Sequence, residues 1–322
     1  MPFDVPYKTK QFFFLLIKLS IVVAAFYFMN SRLTQNDNFQ LEVFLAFLKE
    51  KDTFSIKNIL FLLILSSFNW FFEILKWQRL VLTIKPISFK EALEQSLAGL
   101  TASLITPNRI GEYGAKAIYY KRPFRAKIVL LNLLGNMAQM TVTTILGLIG
   151  LIVFVNQYPV HINYHQAAKT GLVIILLIVT LGFGMKLIHL KITGHSIERI
   201  VGFIKNTASK TLTSVFLLSL TRYGVFSFQF YYLLLMFGVN LDYIEAMVII
   251  TSMYLLASVL PSLSLFDVLI KGSVAVFLFG FAGVNEFTVV AVVTLMWIFN
   301  FVLPSVFGSY FVLNFKLPQP EA

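Results

Sequence analysis

Residues 101–127 read TASLITPNRIGEYGAKAIYYKRPFRAK, and this stretch decides how the rest of the chain is folded. A short apolar run leads into Thr106, Pro107 and Asn108, where it breaks. Arg109, Gly111, Glu112 and Lys116 follow, and then a basic run at Lys121, Arg122, Arg125 and Lys127. The surroundings are oily: 58% of the 322 residues are hydrophobic and 13% are charged. A soluble domain carries about 25% charged residues. Several runs approach the roughly 20 apolar residues that cross a bilayer. The composition therefore gives an all-α integral membrane protein. A β-barrel would show short alternating strands instead.

Long apolar helices are expected at 12–30, 56–80, 127–155, 169–189, 211–237 and 287–314. Shorter apolar runs lie at 91–106, 244–260 and 268–282. The first run follows Lys8 and Lys10 and has no clear small-residue cleavage site, so it reads as an uncleaved helix. Leu41–Leu48 suits a short interfacial helix. The net charge of +11 reads as loop charge that orients the chain and attracts anionic headgroups, and no nucleic-acid partner is expected. Segment 76–127 has ten Lys/Arg against three acids, and segment 186–210 has five against one. Both are placed on the cytoplasmic side, as is the N-terminus. Loops 156–168 and 238–246 are placed outside. These sides agree only if 91–126 enters from the cytoplasm and returns there, while 244–285 enters and returns outside. The expectation is a single membrane domain, 1–322, of about seven transmembrane helices plus two re-entrant helical hairpins.

The halves 56–155 and 211–314 share one order: long helix, short apolar run, proline break, acid, lysine four later, long helix. Glu112 and Asp267 stand 155 positions apart (267 − 112), as do Lys116 and Lys271 (271 − 116). By the loop charges the halves have opposite orientation, which makes an inverted repeat. Interrupted short segments at matching places in two inverted halves point to a transporter's substrate site.

Irregular backbone at membrane depth must line water or be covered by protein. Asn108 suits an N-cap for a helix from Arg109, and Gly111 and Gly114 suit close backbone approach. Arg109 and Lys116 beside a helix N-terminus suit an anion. Ser264 and Asp267 read as a capping box with Lys271 one turn on. Glu112–Lys116 and Asp267–Lys271 also fit plain i,i+4 ion pairs that neutralise each other. Ser66, Asn69, Glu73 and Lys76 share one face of their helix, Ser219, Arg222 and Gln229 share another, and Asn132, Asn136, Gln139 and Thr143 a third. Glu73 and Arg222 inside a membrane are costly unless paired or hydrated. The substrate-binding candidates are thus Asn108, Arg109, Gly111, Glu112, Lys116, Arg222, Asp267, Lys271 and Glu73.

There are no cysteines, so disulfides, thiol catalysis and Fe–S clusters are excluded. His161 and His165 are spaced i,i+4 but lack a third metal ligand. No Gly-rich phosphate loop, Ser/His/Asp set or pair of catalytic carboxylates is present. No cofactor, metal or catalytic residue is expected, and the chain reads as a non-enzyme.

The stretch LITPNRIGEYGAKAIYY resembles the signature of the lysylphosphatidylglycerol synthase transmembrane, or flippase-like, family. That family includes the lipid-flipping domain of the multiple peptide resistance factor. Pro107, Arg109, Ile110, Gly111 and Glu112 carry the likeness, and Trp77–Leu80 (WQRL) fits it. The counterpart in the second half runs from Pro261 to Asp267 without the family's glycines and arginine, so Asp267 stands for its glutamate. The resemblance extends over about residues 12 to 314. With the chain ending at Ala322, it implies no lysyl-lipid synthesis. It implies a multi-pass protein of the bacterial inner membrane that translocates or binds an anionic phospholipid or lipid-linked substrate. A partner synthase or a homo-oligomer is compatible with it. A membrane transferase acting on a lipid or polyprenyl-phosphate, and a non-transporting lipid-binding scaffold, stay open beside this reading.

Overall fold

The computed structural model describes residues 55–104, 106, 109–158, 202–259 and 267–316. The helices expected at 12–30 and 169–189, the interfacial stretch 41–48 and the turn bearing Ser264 lie outside these residues. Helix α1 spans Ile56–Val81 and starts where Ser55 Oγ accepts the Asn58 N–H at 3.3 Å. Helix α2, Phe89–Leu104, starts at a reciprocal capping box. Ser88 donates its N–H and Oγ–H to Glu91 Oε2 at 2.6 and 2.9 Å, and Glu91 N–H donates back to Ser88 Oγ at 3.2 Å. These bonds hold the Glu91 carboxyl below its ordinary pKa, the Ser88 backbone contributing most.

After the break comes α3, Ile110–Ile118. Helix α4, Arg122–Gln157, starts five residues before the expected 127, because Pro123 fits the first turn, where no N–H is needed. Its 36 residues extend about 54 Å at 1.5 Å each, well beyond the ~30 Å hydrocarbon layer. Its Ile145, Leu148, Ile149 and Ile152 are exposed, as a lipid-facing side requires. Helix α5 is Ser209–Met236, α6 Tyr243–Val259, and α7 Asp267–Phe281. Helix α8, Glu286–Trp297, is capped by Asn285 Oδ1, which accepts the Phe287 N–H at 2.9 Å.

The last expected helix, 287–314, is interrupted. A π-turn at Ile298–Val302 separates α8 from α9, Leu303–Asn314. Its cause is Pro304, which has no N–H to donate. The Leu303 N–H reaches instead to the Ile298 carbonyl, and the carbonyls of Phe299 and Asn300 are left for other partners.

Helices α1 and α5 pack antiparallel: Tyr232 Oη–H donates to Asn58 at 2.8 Å, Gln229 to the Leu62 carbonyl at 3.1 Å, and Arg222 to Asn69 at 3.0 Å. Two further contacts join the halves reciprocally. Helix α2 of the first half lies on α9 of the second, and α6 of the second lies on α4 of the first. Both contacts close on glycine. A Cβ on Gly308 would strike the Leu97 carbonyl and Thr101 Oγ1, and one on Gly150 would strike Thr251 Oγ1. Such small-residue contacts bring membrane helices together where lipid supplies no hydrophobic drive. Ile56–Val81, Arg122–Gln157 and Glu286–Asn314 are each long and apolar enough to cross a membrane. Helix α5 is 28 residues long and carries Arg222 and Gln229 among its polar groups.

Candidate functional site

The polar faces of α1, α3, α4 and α5 converge beside the break at Thr106–Arg109. On α1, Ser66, Asn69, Glu73 and Lys76 are all buried, as their spacing on one face demands. Glu73 Oε2 lies 2.7 Å from Lys76 Nζ and 2.9 Å from Arg222 Nη1. Arg222 Nη1 also donates to Gln139 Oε1 at 3.3 Å.

A second carboxylate sits the same way one helix over. Glu112 Oε1 accepts from Lys116 Nζ at 2.7 Å, and Glu112 Oε2 lies 3.2 Å from Arg109 Nη2. Lys116 is 1% exposed. It donates to Asn132 Oδ1 at 2.8 Å and stands 4.2 Å from the centre of the Trp77 ring, so a cation–π contact completes its shell. Trp77 is oriented by its Nε1–H, which donates to Gln95 Oε1 at 2.9 Å. The simple i,i+4 reading of Glu112 and Lys116 is thus half of the arrangement. Each carboxylate is shared by two cations, and each of the two triads carries a formal net +1.

The triads border one cavity of about 140 Å³. Helix α1 contributes Trp70 and Glu73, α2 contributes Ser96, α3 contributes Arg109, Glu112 and Lys116, and α5 contributes Arg222. Asn136, Gln139, Met140 and Thr143 of α4 close the other side. Ser96 Oγ is buried with no hydrogen-bond partner among the described residues. Asn136 Nδ2 donates to Tyr113 Oη at 3.0 Å.

The break itself is strained. Arg109 has φ 58° and ψ 27°, and it is the one non-glycine residue with positive φ among the described residues. That left-handed conformation is costly for an L side chain. At the start of α3, Thr106 Oγ1 accepts the Gly111 N–H at 2.8 Å. Asn108 lies outside the described residues. Gly111 is required: a Cβ there would run into the Ala102 carbonyl oxygen and come within 2.8 Å of Thr106 Oγ1. Gly114, expected to allow a similar approach, meets nothing within 4 Å.

Of the candidate residues, Glu73, Arg109, Glu112, Lys116 and Arg222 line the cavity, and Gly111 seats α3 against Ala102. Lys271 does not line it. Its Nζ stands 5.6 Å from the Phe301 ring centre, in a small apolar cavity with Phe226, Phe230 and Tyr254. The Asp267 side chain lies outside the described residues.

Sequence reasoning missed Trp70, Ser96 and Asn300. Asn300 joins the halves: Asn69 Nδ2 donates to Asn300 Oδ1 at 2.8 Å, and Asn300 Nδ2 donates to Gln229 Oε1 at 2.9 Å. The carbonyls freed by the π-turn are used as well. Asn300 O accepts from Trp70 Nε1 at 3.0 Å, and Phe299 O from Ser66 Oγ at 2.6 Å. An asparagine four residues before Pro304 in an apolar helix was the available signal.

No curated protein and no solved structure matches the chain. Residues 15–308 match the family described as Lysylphosphatidylglycerol synthase TM region, nearly the whole chain, and the protein belongs to that family of multi-pass membrane proteins.

Proposed function

We propose that this protein moves an anionic phospholipid or lipid-linked substrate between the leaflets of the membrane and catalyses no bond change. Family membership gives a membrane lipid-related role. The observation that carries the finer reading is the pair of +1 triads, Lys76–Glu73–Arg222 and Arg109–Glu112–Lys116, on one cavity at a helix break. Buried excess charge is costly in a low-dielectric layer and calls for a counter-ion. An anionic headgroup supplies one. The polar lining lowers the desolvation barrier that keeps a headgroup in its own leaflet.

The reciprocal packing of α2 on α9 and α6 on α4, with α1 and α5 antiparallel, supports an inverted repeat of 56–155 and 211–314. In this reading 91–126 and 244–285 are re-entrant, about seven helices span, and the N-terminus faces the cytoplasm of a bacterial inner membrane.

Liposomes holding the purified protein and a labelled phosphatidylglycerol test the proposal, with an impermeant quencher reporting leaflet exchange. Exchange is expected well above that of empty liposomes, and lowered by Arg109→Ala, a half-exposed position where misfolding is least at issue. Exchange at the empty-liposome rate for the folded protein overturns it.

A further inference from the structure

The formal charge around the cavity is unbalanced. Two carboxylates and four cations border it or bind its lining residues, leaving a net +2. Five other carboxylates have described side chains, and none lines the cavity. Glu91 is held by Ser88 at the start of α2, and Glu94 interacts with Tyr119. Asp242 accepts the Ile244 N–H, Glu245 accepts from Tyr158, and Glu286 lies in the first turn of α8. A single negative charge leaves the two triads unequal. A dianion balances both.

Size and access narrow the ligand further. A cavity of about 140 Å³ is close to the ~150 Å³ that houses benzene in an engineered core, enough for a phosphate group and too small for a glycerol backbone with chains. Ser96, 97% buried and with no partner for its Oγ among the described residues, lines the cavity as a spare hydroxyl donor. At the mouth, Arg109 has a 41% exposed side chain. Ile110, next to it in sequence, and Met137 and Met140 on α4 are exposed apolar residues, with Met140 itself in the lining. The opening is therefore bordered by groups that suit hydrocarbon.

We infer that the cavity is selective for a terminal phosphate dianion, a phosphomonoester or diphosphate borne by a lipid whose chains stay against Ile110, Met137 and Met140. This rests on the anionic-headgroup reading above and goes past it, because it ranks a dianion over the monoanionic diester of common phospholipids.

The test uses the full chain in phosphatidylcholine nanodiscs at pH 8.5, above the second phosphate pKa of about 6. Labelled phosphatidic acid, a monoester, is compared with labelled phosphatidylglycerol, a diester, and inorganic phosphate, a dianion at this pH, serves as competitor. Phosphatidic acid is expected to bind about tenfold more tightly, since one further charge meets an unbalanced cation at short range. Arg109→Gln lowers the net charge to +1 and should weaken phosphatidic acid more than phosphatidylglycerol, bringing the ratio near one. Equal binding of the two lipids by the parent protein overturns the dianion inference and leaves the anionic-headgroup reading standing. Binding of neither above phosphatidylcholine overturns both. Inorganic phosphate that competes as tightly as phosphatidic acid keeps the dianion chemistry and overturns the lipid-borne source.

Discussion

Replacing Glu112 by glutamine leaves Lys116 a buried cation without its carboxylate. Lys116 is 1% exposed and Glu112 4%, so water does not substitute for the lost partner. Breaking a buried ion pair from one side costs about 3–5 kcal/mol. Lys116 keeps the Asn132 oxygen at 2.8 Å and the Trp77 ring at 4.2 Å, which puts the expected loss at the lower end, about 3 kcal/mol. At roughly 2–4 °C per kcal/mol that is a fall in Tm of about 6–12 °C, read by thermal unfolding in detergent or nanodiscs. Removing the cation too separates pairing from packing. Glu112→Gln combined with Lys116→Met replaces the pair by neutral groups of similar volume, and such exchanges are often close to neutral. The double variant should recover most of the Tm, giving a large coupling in the cycle. A single variant within about 1 °C of the parent, or a double variant as unstable as the single, refutes the triad account.

Gly111→Ala should prevent α3 from seating against Ala102 and strongly reduce folded yield, whereas Gly114→Ala, which meets open space, should keep or raise Tm by the ~0.5–1 kcal/mol that alanine gains over glycine in a helix. Size-exclusion profiles and melts of the two side by side check this. Asn300→Leu strips partners from Asn69 and Gln229. It should cost about 1–3 kcal/mol for each buried amide left unsatisfied, seen as a lowered Tm. Ser88→Ala removes the cap of α2 and should cost about 1 kcal/mol. Because Glu91 has a depressed folded pKa, its stabilisation is full above the unfolded value near 4.3 and fades as pH falls through the folded one. The Tm gap between the parent and Glu91→Gln should therefore be open at pH 7 and close below about pH 4. A gap that widens on acidification contradicts this.

Most of the scaffold was legible because apolar runs and prolines mark helix bodies and breaks. Helices expected at 56–80, 211–237 and 244–260 appear as Ile56–Val81, Ser209–Met236 and Tyr243–Val259. The polar faces were legible too, since Ser66, Asn69, Glu73 and Lys76 repeat at helical spacing. What was not legible depends on contacts distant in sequence. Glu73 finds Arg222 across 149 positions (222 − 73), and spacing along one helix cannot report that. The π-turn was hidden inside an apolar run, although Pro304 caused it. The Thr106 hydroxyl was not singled out either, although it accepts the Gly111 N–H beside the left-handed Arg109. Lys271 matches Lys116 in position and, like it, stands over an aromatic ring, but it lines a different cavity.

The most direct test of the account compares leaflet exchange of labelled phosphatidylglycerol and labelled phosphatidylcholine in the same proteoliposomes. A cavity bordered by two +1 triads predicts exchange of the anionic lipid at least tenfold above empty liposomes, with the zwitterionic lipid much slower. Equal rates for both lipids, or an anionic rate equal to that of empty liposomes, would contradict it.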